Sequence, residues 1–346
     1  MRNVVLVGTA VTRPEAVGTL YRLRDGGSWE ACTGIAPDAA VQAITPHPQD
    51  PDLIFVAARN GLYRSHDGGE RWQRLPVTDE AVQFWTVVVS PHDPKTLFAG
   101  TSPVGFYRSH DGGDSWSKCE GSFPERYKIS FGHSRLMRIA FHSTDPDVMY
   151  GASEITGFYI STDAGRSWRA QDQGIAELAA LPHLKNTELT DDDTEGMFDA
   201  HAVATTPARP EAVFYVCRMG LFESVDGGRH FRDLEVRRYA PFNYSRDCRP
   251  VYGRPEKLYA CFSISSRSSA GAMYTSDDLG ETWRRADTPV NARSTIMGFG
   301  THVSDARGVV SVTRHGQVFV TTDGAQSWSE YQLPEDAGDA FCAAIL

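Results

Sequence analysis

Imidazole and carboxylate side chains at four positions carry the chemistry most open to this chain. His133, His201, Asp199 and Glu154 are the residue types needed for a divalent-metal site or for an acid–base pair. Their spacing is not a metal signature, so no metal ligands are assigned, although the four could hold a divalent metal. Tyr244, followed by Arg246 and Asp247, could serve as a nucleophile or a proton donor, or simply pack. Arginines recur nearby. Arg59-Asn60-Gly61, Arg218-Met219-Gly220 and Arg314-His315-Gly316 are equivalent strings, and Glu154 and Ser102 stand at the same point in two further segments. Arg135, Arg138, Arg246, Arg249 and Arg293 precede or enter other apolar runs. Gathered around one depression, such guanidinium groups would hold a carboxylate or phosphate bidentately; the ordinary alternative is pairing with neighbouring Asp and Glu. Trp85, beside Phe84, would offer a flat face to a sugar or pack in the core.

The elements that position these residues follow from a repeated turn. Ser65-His66-Asp67-Gly68-Gly69-Glu70-Arg71-Trp72 and Ser109-His110-Asp111-Gly112-Gly113-Asp114-Ser115-Trp116 are the clearest copies. Residues 161–168, 276–283 and 321–328 are close variants, 224–231 ends in Phe231, and Asp25-Gly26-Gly27-Ser28-Trp29 is one residue short. The spacing runs from 42 residues (Asp25 to Asp67) to 63 (Asp163 to Asp226), which marks a repeat architecture. In each copy the Asp carboxylate can accept backbone N–H groups just after it, Gly permits positive φ, and Trp can cover the turn. Ala164, Leu279 and Ala325 replace glycines, so those turns need restricted angles or accept strain.

Each repeat reads as four short strands, A to D, as in 41–44, 53–57, 61–64 and 72–75. The N-terminal unit starts in a B-type strand (3–7), continues with C (20–23), and lacks an A strand, whereas 340–345 is an orphan strand at the other end. The expectation is an all-β, seven-bladed β-propeller of four-stranded antiparallel blades, closed by the C-terminal strand in the N-terminal blade. It would be one domain over 1–346, with blade 1 built from about 1–34 plus 339–346.

An A-B-C-D meander sorts the loops. The A–B turns and the boxes lie on one face, called the bottom; the B–C loops and the links to the next A strand lie on the top. His47, His92, His142 and His302 fall at equivalent A–B turns, and His66, His110 and His230 in boxes. His133, His183, His201 and His315 are left for the top face. The longest connections, 121–134, 174–199 and 263–271, are also assigned to the top, where they would form a partial lid. The acidic run 191–195 within one of them reads as a solvated loop.

The boxes resemble the Asp-box (BNR) repeat of sialidases, sortilin-type propellers, xyloglucanases and photosystem II assembly-factor propellers. That resemblance covers almost the whole chain and implies a propeller with its site on the face opposite the boxes. Sialidases carry an early Arg-Ile-Pro; the nearest string here is Arg138-Ile139-Ala140, and the count of seven differs from their six blades. No catalytic residue is carried over.

Composition sets the remaining bounds. The 346 residues are 41% hydrophobic and 23% charged with net charge −10, which argues against nucleic acid or anionic membrane as partner. Six cysteines lack metal spacing and read as buried thiols of a reducing compartment, and the short apolar start reads as a strand; a cytoplasmic protein is expected. Two functions fit. The first is an enzyme, hydrolase or lyase, binding a small anionic or sugar-like substrate in the top funnel. It would use Arg59, Arg218, Arg314, Arg135, Arg138, Arg246, Trp85 and His315 for binding, and His201, His133, Asp199, Glu154 and Tyr244 for chemistry. The second is a non-catalytic scaffold for a protein partner.

Overall fold

The computed structural model describes residues 4–24, 27–77, 79–124, 127–128, 132–185 and 196–346; the first box at Asp25 and Gly26 and the run 191–195 lie outside them. The strands form seven meander sheets, the blades of a propeller. Blade 2 is Val41–Pro46, Ile54–Ala58, Gly61–Ser65 and Gln73–Arg74. Blades 3 to 7 begin with the A strands Gln83–Val89, Leu136–Phe141, Ala200–Thr206, Tyr244–Val251 and Ile296–Thr301. Blade 4 gains a fifth strand, Glu120–Gly121, parallel to Ser167–Ala170. Among the described residues no helix is long and apolar enough to cross a membrane.

Packing between blades explains why the B strands are apolar on both faces: Ile54–Ala58 is buried throughout. The core is divided into layers, each shared by two neighbours. Phe55, Ala57 and Leu62 of blade 2, for instance, meet Phe84, Val87 and Leu97 of blade 3. Burial at this scale supplies most of the folding free energy.

Ring closure is as the ends of the chain imply. Asp339–Ile345 pairs antiparallel with Val5–Ala10, and the blade 1 sheet continues through Leu20–Leu23 to Trp29–Ala31. Gly8 is required there, because a Cβ would stand 2.4 Å from Val41 Cγ1 and 2.6 Å from Cys342 Sγ.

The boxes act as the turn chemistry dictates. Asp67 Oδ1 accepts from Ser65 Oγ at 2.9 Å and from the Arg71 N–H at 2.9 Å, while Ser65 Oγ accepts the Gly69 N–H. The Trp72 indole N–H caps the Gly69 carbonyl at 3.2 Å. Ala164, Leu279 and Ala325 hold φ of 58°, 59° and 70°, so the turns that have lost one glycine accept the strain and keep the geometry. The A–B turn histidines are structural as well. His142 Nδ1 accepts the Asp145 N–H at 3.0 Å, and His92 Nε2 reaches the His142 carbonyl at 2.8 Å, tying blade 3 to blade 4.

One feature of the inner strands has no counterpart in the repeat pattern. All seven carry a β-bulge near their upper ends, and the residues skipped in the pairing are Gln42, Trp85, Met137, His201, Arg246, Met297 and Phe341. A bulge re-aims a side chain. Seven of them at one level set a layer of side chains across the top of the central channel.

Candidate functional site

Three of these bulged residues anchor a buried polar network that spans blades 2 to 6. His201 is 2% exposed, and its Nδ1 lies 2.5 Å from the Ser245 carbonyl oxygen. A carbonyl only accepts, so Nδ1 carries the proton and, in the neutral ring, Nε2 presents a lone pair. That Nε2 faces the Tyr244 hydroxyl at 3.4 Å and Asp199 Oδ2 at 3.7 Å. Arg246 Nη1 donates to the same hydroxyl at 3.2 Å. Asp199 Oδ2 also accepts from Arg218 Nε at 2.9 Å. Burial pushes the Asp199 carboxyl up, but the His201 ring in its doubly protonated form and the Arg218 guanidinium outweigh it and hold the group below the usual carboxylate range. Burial raises the Tyr244 phenol despite the opposing Arg246, so Tyr244 rests protonated.

Glu154 forms the other wing. Its Oε2 accepts from Arg135 Nη1 at 3.0 Å, and Arg246 Nη1 lies 3.9 Å from Oε1. The Arg135 and Arg59 guanidinium carbons stand 4.3 and 5.2 Å from the centre of the Trp85 ring. Arg59 Nε, Arg246 Nε and Trp85 Nε1 have no hydrogen-bond partner among the described residues.

Glu154, Asp199 and His201 each offer a ligand atom, all within 4.8 Å of one another. Electrostatics nevertheless disfavours a divalent cation. Two carboxylates already face three guanidinium groups, Arg135, Arg218 and Arg246, and the best-placed oxygens are occupied. The arrangement suits proton handling beside an anion better than metal ligation.

A pocket of about 570 Å³ opens above the network between blades 5 and 6. Tyr244 and Arg218 line it together with Lys185, Arg237, His183 and Phe242, and among the described residues no carboxylate side chain does. Its wall includes Pro182–Leu184, a 3₁₀ turn that follows the helix Gln173–Ala179 in the long link entering blade 5. Leu178, Ala179 and Leu184 seat that link in the core shared by blades 4 and 5. The pocket therefore joins a basic lining to a buried phenol–imidazole–carboxylate relay.

Residues 60–201 match the family model for sortilin, neurotensin receptor 3. No curated protein sequence matches the chain. Among solved structures, a GH74 xyloglucanase from Xanthomonas campestris is 19% identical with a TM-score of 0.61, and the alignment covers 95% of this chain and 51% of the enzyme. The chain thus spans about half of that protein. YCF48 from Cyanidioschyzon merolae is 15% identical with a TM-score of 0.56, covering 86% of each chain. YCF48 bound to D1 peptide is similar at 14% identity and a TM-score of 0.52, covering 84% of this chain and 81% of that one.

The chain is an Asp-box repeat β-propeller.

Within the propeller, the residues singled out from sequence separate into groups. His201, Asp199, Glu154, Tyr244, Arg246, Arg218 and Arg135 converge, and Arg59 joins them through Trp85. His133 does not: it is exposed in the small hairpin with Tyr127–Lys128 and gives no ligand atom to the cluster. Trp85 is 3% exposed beneath two guanidinium groups, so it presents no open face for sugar stacking. Arg314 is bound to Asp339 at 2.6 Å and to the Ser266 carbonyl, serving the junction of blades 6, 7 and 1. His315 is exposed and borders a separate cavity between blades 7 and 1. Arg138 lies past its bulge, further down the strand, and lines the lower channel instead of the top funnel. Sequence reasoning missed Lys185, Arg237 and Phe242. Their only signal was position in the links entering blades 5 and 6.

Proposed function

We propose that this propeller is an enzyme, a hydrolase or lyase, that performs acid–base chemistry on a small anionic or sugar-like substrate in the top-face pocket. The observation that carries the reading is the His201–Ser245 hydrogen bond. It fixes the imidazole so that Nε2 meets the Tyr244 hydroxyl directly beneath a pocket lined by Lys185, Arg218 and Arg237. The cationic side chains would hold a carboxylate or phosphate of the substrate. Tyr244, protonated at rest and at the buried end of the pocket, would deliver a proton. Arg246 steadies the phenolate that results. His201 exchanges the proton with Tyr244, and Asp199 supports the imidazolium form, following the logic of a base oriented by a third group.

Within that class, glycoside hydrolysis by two carboxylic acids is the less favoured route. It needs a protonated acid, whereas Asp199 is held ionised and Glu154 is engaged by Arg135 and Arg246. Proton transfer at a carbon beside a bound carboxylate, as in elimination, suits the groups present. Six unpaired cysteines, five of them buried, support a cytoplasmic setting.

The test is turnover of anionic oligosaccharides and small anionic glycosides, read as new reducing ends or as absorbance of a new C=C bond. Tyr244→Phe and His201→Asn should each abolish it. Equal turnover by wild type and Tyr244→Phe would remove the proposed chemistry. A second reading, a scaffold for a protein partner, draws on YCF48, a chain of similar length that aligns almost end to end, with one solved form bound to a peptide. Retained partner binding by variants that have lost every ligand-pocket cation would favour it.

A further inference from the structure

We propose that the central channel holds a second ligand site, opening on the Asp-box face, for a small amphiphile with an apolar body and a carboxylate head. The site is a cavity of about 420 Å³ lined by the inner strands of all seven blades. Its walls are mainly apolar, with Val87, Ile139, Phe141, Val203 and Ala343 among them, interrupted by Thr45, Thr86, Thr205 and Thr301. Burial grades along its length. Pro48 and Pro91, in the A–B turns at the mouth, are exposed, whereas Asp247 and Cys248 at the inner end are 2% and 1% exposed. The cavity is therefore a sleeve that opens at the A–B turns and becomes buried toward Asp247.

Charge at the inner end is unbalanced. Asp247 Oδ2 accepts from Arg249 Nε at 3.0 Å and Nη2 at 2.8 Å. Arg138, two blades away in blade 4, reaches that oxygen only at 3.7 Å. Its Nη1 bonds the Met137 carbonyl, and its Nε has no partner among the described residues. One carboxylate thus faces two guanidinium groups, and Arg138 keeps unused donors at the end of an apolar cavity. Burial pushes Arg138 below its ordinary value, the mark of a cation whose desolvation is poorly compensated. Cys248 and Cys342 also line the end, and burial pushes Cys342 up to about 12, so its thiol stays neutral and adds no competing anion. A carboxylate beside Arg138 would balance the charge, and its hydrocarbon body would fill the sleeve, the usual plan of a small-molecule site.

The site is independent of the top-face pocket, so the two stand or fall separately. Calorimetric titration with sodium decanoate, and with decanol as its uncharged counterpart, tests it. Decanoate should bind one to one and decanol at least tenfold more weakly. Arg138→Met should weaken decanoate at least tenfold, and Thr301→Phe, which fills the sleeve, should remove binding of both. Val225→Ala, an exposed position in the box of blade 5, should change neither. No decanoate binding, equal affinity for the two probes, undiminished affinity in Arg138→Met, or loss in Val225→Ala would overturn the proposal. If Arg138→Met does not fold, decanoate binding retained by Thr301→Phe does the same.

Discussion

His201, in the inner strand of blade 5, is hydrogen-bonded through Nδ1 to the backbone carbonyl of Ser245 in the inner strand of blade 6, at 2.5 Å. The bond crosses a blade boundary, so the tautomer of the imidazole depends on how two sheets are docked. It also turns the other ring nitrogen toward Tyr244, which lies in the same blade as the carbonyl.

Removing the phenol should separate chemistry from folding. Tyr244→Phe loses the acceptor of Arg246 and the partner of His201. Turnover of the pocket's substrate should fall at least about a hundredfold, the scale of one positioned acid–base group. Stability should drop by only about 1–3 kcal/mol, the cost of a buried donor left unsatisfied. Steady-state kinetics and urea unfolding on the same preparation check both.

The Arg218–Asp199 pair should matter far more to stability. Arg218→Ala leaves the Asp199 carboxylate buried without its closest cation. The expected loss is about 3–5 kcal/mol. Adding Asp199→Asn should recover part of it, since the second change removes the stranded charge. A double-mutant cycle by chemical denaturation gives the answer. Lys185→Ala, an exposed residue, should leave stability within about 0.5 kcal/mol while weakening anion binding.

Acid should attack the boxes. Asp323 is lowered to about 2 by the Ser327 hydroxyl and backbone and by Thr321; Asp226 reaches about 2 because hydrogen bonds from His230 and Ser224 outweigh burial. A carboxylate whose value is lower folded than unfolded binds fewer protons in the native state. Its contribution is therefore complete above the unfolded value of about 4 and disappears as pH falls through the folded value. The melting temperature should decline between about pH 4 and pH 2. Asp323→Asn should reduce the dependence across that window.

Strain in the substituted boxes is open to relief. Ala164 sits at φ 58° with no side chain to lose beyond a methyl group. The left-handed region costs a non-glycine residue about 1–2 kcal/mol, and glycine's extra unfolded-state freedom takes back about 0.5–1. Ala164→Gly should therefore stabilise the protein by roughly 0.5–1 kcal/mol in thermal or urea unfolding. A loss instead would mean that the turn is not strained.

Local chemistry repeated seven times is what the amino-acid order determined. The Ser-x-Asp-Gly-Gly boxes, the alternation of apolar runs with Pro and Gly turns, and the mismatch between a first unit lacking an inner strand and a leftover strand at residues 339–345 all concern contacts near in sequence or a pairing forced by count. Fold and closure could therefore be read directly. The A–B turn histidines could be set aside for the same reason, since position in the repeat identified them. Most of the top-face cluster was also gathered from sequence, because ends of equivalent strands must surround one axis.

Only the tertiary structure decided which of those residues meet. His133 and His201 look alike in sequence, but one stands on an exposed hairpin and the other on a bulged inner strand. Trp85 lies under two arginines rather than open to a sugar, and Arg138 faces down the channel while Arg246, also near the start of its strand, serves the upper network. The physical reason is the bulge. One unpaired residue shifts the two-residue alternation of a strand, so which way a side chain points depends on where pairing slips, and that is set by packing against neighbouring blades.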